Sequence, residues 1–228
     1  MAYSFILLSG GSGTRMGRSV PKQYLLLAGK PMIMHILERV DRLEDISELI
    51  IVCEEEYIPS IRLMLAQYAI RVPVSYAPAG ETRQASVRSG LAAAKNDGVV
   101  IHEAARPFVS EDDFRRLMDA PEENVIFGQG IAFTVLRGHG YVEGILDRSE
   151  LVNVQLPQKF NRGILSGAHE LAAKEGRAFT EDAGLLYHYN PELKIRIMPG
   201  PEYNIKVTTP MDLIIGESIY REYFSGRK

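Results

Sequence analysis

The chain has 228 residues and a net charge of −3, and 46% of its residues are hydrophobic, 24% charged and 8% aromatic. These values predict one globular domain over residues 1–228, exclude a disordered chain, and argue against binding nucleic acid through bulk positive charge. Cys53 is the one cysteine, which excludes an internal disulfide and a cysteine-built zinc site. No stretch approaches the ~20 apolar residues of a membrane span. We therefore expect a protein of the reducing cytoplasm, with no membrane or nucleic-acid partner.

Short apolar runs alternate with segments of helical periodicity over the first 120 residues. Continuous apolar runs bounded by turn residues are typical of strands buried on both faces, and apolar residues spaced three and four apart indicate helices. The predicted strands are 5–8, 49–52, 72–76 and 99–102, and the predicted helices are 31–43, 60–68, 82–94 and 111–118. This alternation predicts an α/β fold, a Rossmann-like, mostly parallel twisted sheet flanked by helices.

The pattern is less regular after residue 120. Strand-like segments lie at 125–135 (one strand or two), 141–146 and 193–198, and helical segments lie at 163–174 and 210–223. The last helix has Thr209 as a candidate N-cap and Pro210 at its first position. The segment of about 137–160 is the best candidate for a β-arm that leaves the domain.

Glycines directly follow the first predicted strand, in the sequence Gly10-Gly11-Ser12-Gly13. Glycines allow close approach of a ligand, and successive backbone N–H groups bind phosphate. The loop lacks the Gly-Lys-Ser/Thr of a P-loop, and it lacks the third glycine of the dinucleotide fingerprint. An ordinary turn stays possible for the glycines alone. Two cations behind them, Arg15 and Lys22, favour a phosphate site, because ligands of open α/β sheets bind at this edge.

Several motifs carry a resemblance to a known family. They are Leu8-Ser9-Gly10-Gly11-Ser12-Gly13-Thr14-Arg15-Met16, Pro21-Lys22-Gln23, Gly80-Glu81-Thr82-Arg83-Gln84-Ala85-Ser86-Val87, His102-Glu103-Ala104-Ala105-Arg106-Pro107-Phe108, Asp147-Arg148, Leu156-Pro157-Gln158-Lys159-Phe160, Thr180-Glu181-Asp182-Ala183, and the segment from Asn204 to Leu213. Together they resemble the cytidylyltransferases of sugar and polyol phosphates, the branch that contains the 2-C-methyl-D-erythritol 4-phosphate and ribitol-5-phosphate enzymes. The resemblance covers nearly the whole chain, from Leu8 to about Leu213.

The resemblance implies that CTP and a polyol phosphate react to give a CDP-polyol and pyrophosphate. The first acceptor candidate is 2-C-methyl-D-erythritol 4-phosphate, an isoprenoid precursor, and the alternative is ribitol 5-phosphate or another polyol phosphate. The nucleophile is a phosphate oxygen that is already ionised at neutral pH. Catalysis should therefore depend on alignment and on electrostatic stabilisation, in a cation-rich site that uses Mg²⁺.

The resemblance also implies a role for each matching residue. The catalytic cations would be Arg15, Lys22 and Lys206, and Glu103 stands where the family has a metal-binding Asp. Nucleotide binding would fall to Ser9, Gly10, Gly11, Ser12, Gly13, Gly80, Glu81, Ser86 and Ala104. The acceptor would be held by Thr134, Arg148 and Thr180. In the family the arm enters a partner subunit, so we expect a homodimer in which Thr134 and Arg148 complete the partner's site.

The chain departs from the family pattern near the acceptor. Ala132-Phe133 replaces Arg-Asp before Thr134, Leu136 replaces a lysine, and Leu156 replaces the Thr of Thr-Pro-Gln. A site that loses hydrogen-bonding groups changes which substrate it accepts. Two other classes stay open, a dinucleotide-dependent oxidoreductase and a non-catalytic nucleotide-binding paralogue. The missing third glycine weakens the first of these.

We expect three further residues near these motifs to have structural roles. We expect His102 to be packed at the end of its strand and Arg106 to bridge strand ends through charged hydrogen bonds. Cys53 is most simply a buried apolar residue.

Overall fold

The computed structural model describes residues 1–11 and 21–226. The strands within these ranges are β1 (Tyr3–Leu8), β2 (Leu26–Leu27), β3 (Lys30–Pro31), β4 (Ile46–Cys53), β5 (Val74–Pro78), β6 (Gly98–Glu103), β7 (Val125–Gly130), β8 (Val135–Gly138), β9 (Val142–Leu146), β10 (Val152–Asn161) and β11 (Arg196–Pro199). The helices there are α1 (Met32–Val40), α2 (Ile58–Gln67), α3 (Arg83–Ala93), α4 (Glu111–Met118), α5 (Arg162–Lys174), α6 (Asp182–Tyr189) and α7 (Pro210–Tyr223). No helix of the described residues is long and apolar enough to cross a membrane.

Seven strands form the central sheet, in the order β11-β7-β10-β6-β1-β4-β5. The neighbours β6, β1, β4 and β5 are parallel, β10 is antiparallel to both β6 and β7, and β11 is parallel to β7. This mostly parallel sheet flanked by helices confirms the predicted fold class. Because the central strands are parallel, their carboxyl ends meet at one edge, where open α/β sheets bind ligands.

The first strand shows why continuous apolar runs predicted this sheet. Phe5, Ile6 and Leu7 are all fully buried, and successive side chains of a strand point to opposite faces. Phe5 and Leu7 belong to the apolar cluster that includes α1 and α4, whereas Ile6 belongs to the cluster that includes α3 and α5. Each face of β1 therefore packs against its own layer of helices, and each position must be apolar.

The arm has different bounds from those predicted. The strands β8 and β9 form a separate two-stranded sheet, and Gly140 in their turn has a positive φ of 85°. The strand β10 returns to the central sheet at Val152 and pairs with β7 and β6 as far as Asn161. The segment that leaves the central sheet thus spans residues 131–151, so the prediction of about 137–160 was wrong at its carboxyl end.

Three helices begin with a side chain that caps their first turn. The helix α6 was not predicted, and it begins where the Glu181 side chain accepts a hydrogen bond from the Gly184 N–H at 3.0 Å. The helices α4 and α7 have the predicted bounds, and each begins with a capping box, Ser110 with Asp113 and Thr209 with Asp212. Such reciprocal caps satisfy the free N–H groups of the first helical turn.

Candidate active site

A cavity of about 460 Å³ opens at the carboxyl edge of β1, β4, β5 and β6. Nine of the residues predicted for the site line it, namely Ser9, Gly10, Gly11, Lys22, Gly80, Glu81, Ser86, Glu103 and Lys206. Six of them lie at or after the ends of β1, β5 and β6, which parallel pairing aligns, as in the Leu8 and Glu103 pair of β1 and β6. The predicted residues Ser12, Gly13 and Arg15 lie outside the described residues.

The start of the glycine loop is held by the sheet and by one side chain. The Ser9 N–H donates to the Val52 carbonyl at 2.8 Å. The Gln23 amide donates to the carbonyls of Ser9 at 2.6 Å and of Gly11 at 3.2 Å. A Cβ on Gly10 would lie 2.3 Å from the Ala79 Cβ, so the loop approaches the end of β5 as closely as glycine allows. Gln23 belongs to the Pro21-Lys22-Gln23 motif, but its contacts with the loop carbonyls were not predicted.

A second loop, between β5 and α3, also lines the cavity. The Gly80 N–H donates to the Ser86 hydroxyl at 3.0 Å, and the Thr82 hydroxyl accepts from the Ala85 N–H at 3.1 Å as the N-cap of α3. A Cβ on Gly80 would lie 2.5 Å from the Ala85 Cβ. The loop is therefore tightly folded onto the first turn of its own helix, with Glu81 exposed at the cavity.

Three cationic side chains surround the carboxylate of Glu103. The Lys206 ammonium lies 2.7 Å from Oε2, the Arg83 Nε 3.4 Å from Oε1, and the Arg106 Nε 3.6 Å from Oε2. Burial by itself raises the pKa of Glu103, but the charges of Lys206, Arg83 and Arg106 lower it further than burial raises it. The net pKa lies below the ordinary value, so Glu103 is an anion held among cations at neutral pH.

Arg83 and its partners were not predicted as part of the site. The Arg83 guanidinium also donates to Asp182 Oδ2 at 2.7 Å, and Asp182 Oδ1 lies 3.1 Å from Nε2 of His169. Asp182 and His169 are buried, at 1% and 0% exposure. No local sequence pattern indicates that Arg83 and Asp182 meet, because they are 99 residues apart in the chain.

Three further residues near the cavity, for which the sequence analysis gave a prediction, are buried. Ala104 is fully buried and its N–H donates to the Leu8 carbonyl at 3.0 Å, while Ala105 lines the cavity in its place. His102 is fully buried with Nε2 2.9 Å from the Arg106 carbonyl, and burial lowers its pKa to about 4. Cys53 is buried as expected, and this burial raises the pKa of its thiol to about 11.

The structure does not bring the predicted acceptor residues to the cavity of the same chain. Thr134, Arg148 and Thr180 are exposed, and none of them lines the cavity. Arg148 instead donates to the Ala132 carbonyl at 2.5 Å. Leu156, a departure from the family pattern, is 4% exposed and belongs to the apolar core, so its side chain lies outside the cavity.

The described residues include no group of three or more His, Cys, Asp or Glu side chains that could hold a metal ion. The cavity does offer the buried carboxylate of Glu103, with the exposed Glu54 and Glu81 on its wall. Mg²⁺ is usually held by one or two carboxylates, several waters and the phosphates of a substrate. The donor set therefore fits a Mg²⁺ ion that arrives with a nucleotide better than a resident metal in a protein cage.

The fold and the site define a nucleotide-binding α/β protein with a cation-rich cavity at the carboxyl edge of its parallel strands. A family profile described as 2-C-methyl-D-erythritol 4-phosphate cytidylyltransferase matches residues 4–222. The protein of that name from Geobacillus thermodenitrificans is 36% identical, over 96% of this chain and 97% of its own length. The chloroplastic protein of that name from Oryza sativa is 32% identical, over 96% of this chain and 74% of its own.

A solved structure gives the same result. The 4-diphosphocytidyl-2C-methyl-D-erythritol synthase of Anaerococcus prevotii superposes with a TM-score of 0.86 at 25% identity, over 96% of each chain. The chain therefore belongs to the 2-C-methyl-D-erythritol 4-phosphate cytidylyltransferase family. This membership confirms the predicted reaction class, a CTP-dependent nucleotidyltransferase, and disfavours the dinucleotide-dependent oxidoreductase.

Proposed function

We propose that this chain transfers the cytidylyl group of CTP to 2-C-methyl-D-erythritol 4-phosphate and releases pyrophosphate, a step of isoprenoid precursor synthesis. The observation that carries the proposal is the set of cations around Glu103, of which Lys206 and Arg83 line the same cavity as the glycine loop. An anionic acceptor must attack the α-phosphorus of a polyanion, so fixed positive charge is the main requirement of the reaction.

Some of the cavity residues bind the nucleotide, and others neutralise the charge of its phosphates. The N–H groups of Gly10 and Gly11 bind the triphosphate, and the loop of Gly80 and Glu81 reads the cytosine together with Ser86. Lys22 neutralises the charge of the phosphates, and Arg15 is assigned the same role from the family motif. Since the attacking phosphate oxygen is already ionised, no side chain has to remove a proton from it.

Lys206 is the residue best placed to stabilise the transition state. Its ammonium is held by Glu103 at the cavity, and its side chain is 37% exposed, so it stays accessible to substrate. The charge on the α-phosphoryl oxygens must be met as the fifth bond to phosphorus forms. A cation that is already in place meets this charge without reorganisation, which is how preorganised groups lower a barrier.

Glu103 is proposed as the protein ligand of Mg²⁺. A bound Mg²⁺ ion would neutralise phosphate charge and help to align the triphosphate. The pKa of Glu103 lies below its ordinary value, so the carboxylate is ionised at neutral pH, as a hard oxygen ligand must be. Lys206 and Arg83 hold this carboxylate in place through their ion pairs.

The acceptor site is proposed to be shared between two subunits of a homodimer. Thr134 and Arg148 lie on an exposed arm rather than at the cavity of their own chain. The arm exposes large apolar side chains, including Tyr141 at 87%, Ile145 at 77% and Phe133 at 81%. Apolar patches of this kind mark protein interfaces, and an arm that covers a partner's cavity would deliver Thr134 and Arg148 to it. Thr180 completes the acceptor site.

The acceptor is tested by measuring pyrophosphate release from CTP with two acceptors in parallel. We expect rapid release with 2-C-methyl-D-erythritol 4-phosphate and Mg²⁺, and slow release with ribitol 5-phosphate. A preference for ribitol 5-phosphate would replace the proposed acceptor, and Ala132 and Phe133 would be the first positions to examine. Release with neither acceptor, combined with CTP binding, would favour the non-catalytic paralogue.

The cytoplasmic location stays a prediction that rests on the cysteine count.

A further inference from the structure

A largely buried chain of polar and charged side chains connects the nucleotide cavity to the first turn of α6. It runs from Lys206 to Glu103, then to Arg83, Asp182 and His169, with successive separations of 2.7, 3.4, 2.7 and 3.1 Å. Glu103, Asp182 and His169 are each less than a tenth exposed. Buried charges of this kind are costly unless they are paired, so the arrangement of each member constrains its neighbours.

Arg83 is the central member because it contacts both carboxylates. Its Nε faces Glu103 at 3.4 Å, and its terminal nitrogen donates to Asp182 at the shorter distance of 2.7 Å. The planar guanidinium fixes the relative direction of these two contacts. The stronger contact to Asp182 therefore determines where Arg83 stands beside Glu103, and keeps Arg83 from turning both of its nitrogens onto that carboxylate.

His169 in turn orients Asp182. Burial raises the pKa of Asp182, but Arg83 and His169 lower it further than burial raises it, so the carboxylate is ionised and can only accept hydrogen bonds. The His169 Nε2 at 3.1 Å must then carry the proton and donate it to Oδ1. Fixing one oxygen in this way leaves Oδ2 directed at Arg83.

The chain reaches the segment proposed to hold the acceptor. Asp182 is the first residue of α6, and Thr180 lies two positions before it. The base-reading loop is less dependent on the Arg83 guanidinium, because Gly80 is held by the Ser86 hydroxyl and α3 by the Thr82 cap. The contacts therefore connect the acceptor segment with Glu103 and Lys206, and leave the binding of the base to other groups.

We infer that Asp182, oriented by His169, is a positioning residue. It acts through Arg83 to hold Glu103 and the Thr180 segment in the relative positions that the transfer step needs. The inference rests on the proposed function, which supplies the roles of Glu103 and Thr180. Asp182 and His169 touch no substrate in this scheme. They determine the geometry of the groups that do.

The test uses the full-length protein, CTP, Mg²⁺ and 2-C-methyl-D-erythritol 4-phosphate. For Asp182→Asn we expect kcat/KM for the acceptor to fall about tenfold, within the range of 2- to 30-fold typical of coupled positions. The Kd of CTP, measured by calorimetry without acceptor, should change by less than about twofold, since the base-reading loop keeps its own bonds. A purely structural defect would not divide the two measurements in this way.

Two substitutions of His169 separate its hydrogen bond from its volume. His169→Gln keeps a side-chain N–H that reaches Asp182, so we expect near-normal kcat/KM. His169→Leu fills the space without a donor, so it should follow Asp182→Asn. Glu48→Gln is the matched control, a buried carboxylate at the other end of β4 that accepts from Ser4 and from the Lys95 N–H. Thermal unfolding of every variant identifies any that fail to fold, and the His169 pair still decides the matter if Asp182→Asn is one of these.

Three results would overturn the inference. They are unchanged kinetics in Asp182→Asn, equal defects in His169→Gln and His169→Leu, or a loss of kcat/KM in Glu48→Gln as large as that in Asp182→Asn. Each of these would leave the proposed function standing as long as the unmodified protein turns over. Absence of turnover in the unmodified protein would instead remove the proposed function itself.

Discussion

The Lys206 ammonium lies 2.7 Å from Oε2 of Glu103, and both residues line the cavity. The two residues come from distant parts of the chain and are brought together by the sheet edge. Glu103 ends β6, and the Val207 N–H donates to the Ala105 carbonyl at 2.8 Å, which fixes the backbone beside Lys206. One carboxylate thus holds a cation where the triphosphate is expected to bind.

Replacing Lys206 with Met should lower kcat by about 100-fold or more, as removal of one preorganised stabilising group does in other enzymes. The methionine has similar volume but no charge, so the Kd of CTP should change less than kcat. Pyrophosphate release and calorimetry measure the two quantities. Lys95→Met is the control, because Lys95 also lies near a buried glutamate, Glu48, at 3.9 Å but at the far end of the sheet. Normal kcat in Lys206→Met would remove this lysine from the proposed mechanism.

Replacing Gly10 with Ala should both destabilise the protein and weaken the binding of CTP. The new Cβ would lie 2.3 Å from the Ala79 Cβ, so the glycine loop or the end of β5 must move. Overpacking of this kind costs about 1–3 kcal/mol in the free energy of unfolding. Urea denaturation and calorimetry with CTP measure the two effects.

Gly167→Ala is the control for that substitution, since a Cβ there meets nothing within 4 Å and the position lies in α5. This change should stabilise the helix by up to about 1 kcal/mol and leave CTP binding unchanged. If Gly10→Ala bound CTP as the unmodified protein does, the close approach of the loop to β5 would have no part in nucleotide binding.

The parallel half of the fold was predictable because its strands are buried on both faces. Every position of Phe5-Ile6-Leu7 contacts one of two apolar layers, so the sequence there is continuously apolar. The strand β10 was not predicted, and most of it was assigned to the arm; it contains Gln155, Gln158 and Lys159. These polar side chains are buried and paired, since Gln158 donates to Glu181 at 2.5 Å and Lys159 to the Ala120 carbonyl at 2.6 Å. Such tertiary partners leave no local signal.

The cavity was predictable to the extent that its residues follow strands or belong to recognised motifs. The glycine loop and Glu103 stand at the ends of neighbouring strands, so their proximity follows from parallel pairing. Arg83 was not assigned to the site. Its contact with Asp182 joins residues 99 positions apart, and Asp182 begins a helix that periodicity did not indicate. Thr134 and Arg148 were expected at an acceptor site, and one chain alone does not contain that arrangement.

The stability of the protein should fall between pH 7 and pH 5 because of buried histidines. Burial lowers the pKa of His35 from 6.5 to about 4, and its Nε2 lies 2.8 Å from the Leu27 carbonyl. The unfolded chain therefore binds a proton before the folded one does as pH falls. The contribution is complete above about pH 6.5 and is lost progressively toward pH 4, which amounts to about 2 kcal/mol between pH 7 and pH 5.

His35→Gln tests this contribution, because the amide still donates to the Leu27 carbonyl but does not titrate. Urea denaturation at pH 7 and pH 5 should show that the variant loses about 2 kcal/mol less than the unmodified protein over this interval. His102, whose pKa is lowered similarly, is unchanged in the variant and maintains the remaining slope. Parallel stability curves for the two proteins would mean that His35 does not stay neutral in the folded state.

A shared active site predicts that two inactive variants restore each other. Lys206→Met damages the cavity, and Arg148→Met damages the arm that is proposed to enter the partner's cavity. After equal amounts are unfolded together and refolded, half of the dimers are mixed, and each mixed dimer has one intact site, so about a quarter of the normal activity should return. A site built from one chain would give no recovery, because every cavity would keep one of the two lesions.

The arm itself is tested by Ile145→Glu. Ile145 is 77% exposed, so the substitution should leave the fold of one subunit intact while it places a charge in the proposed interface. Light scattering should then report a monomer, and pyrophosphate release should fall together with the dimer fraction. Leu63→Glu is the control, because it changes a 74% exposed apolar residue of α2 and should leave both measurements unchanged. Arg42→Glu is unsuitable, because Arg42 pairs with Glu111. An Ile145→Glu protein that stays dimeric and active would place the subunit contact elsewhere on the molecule.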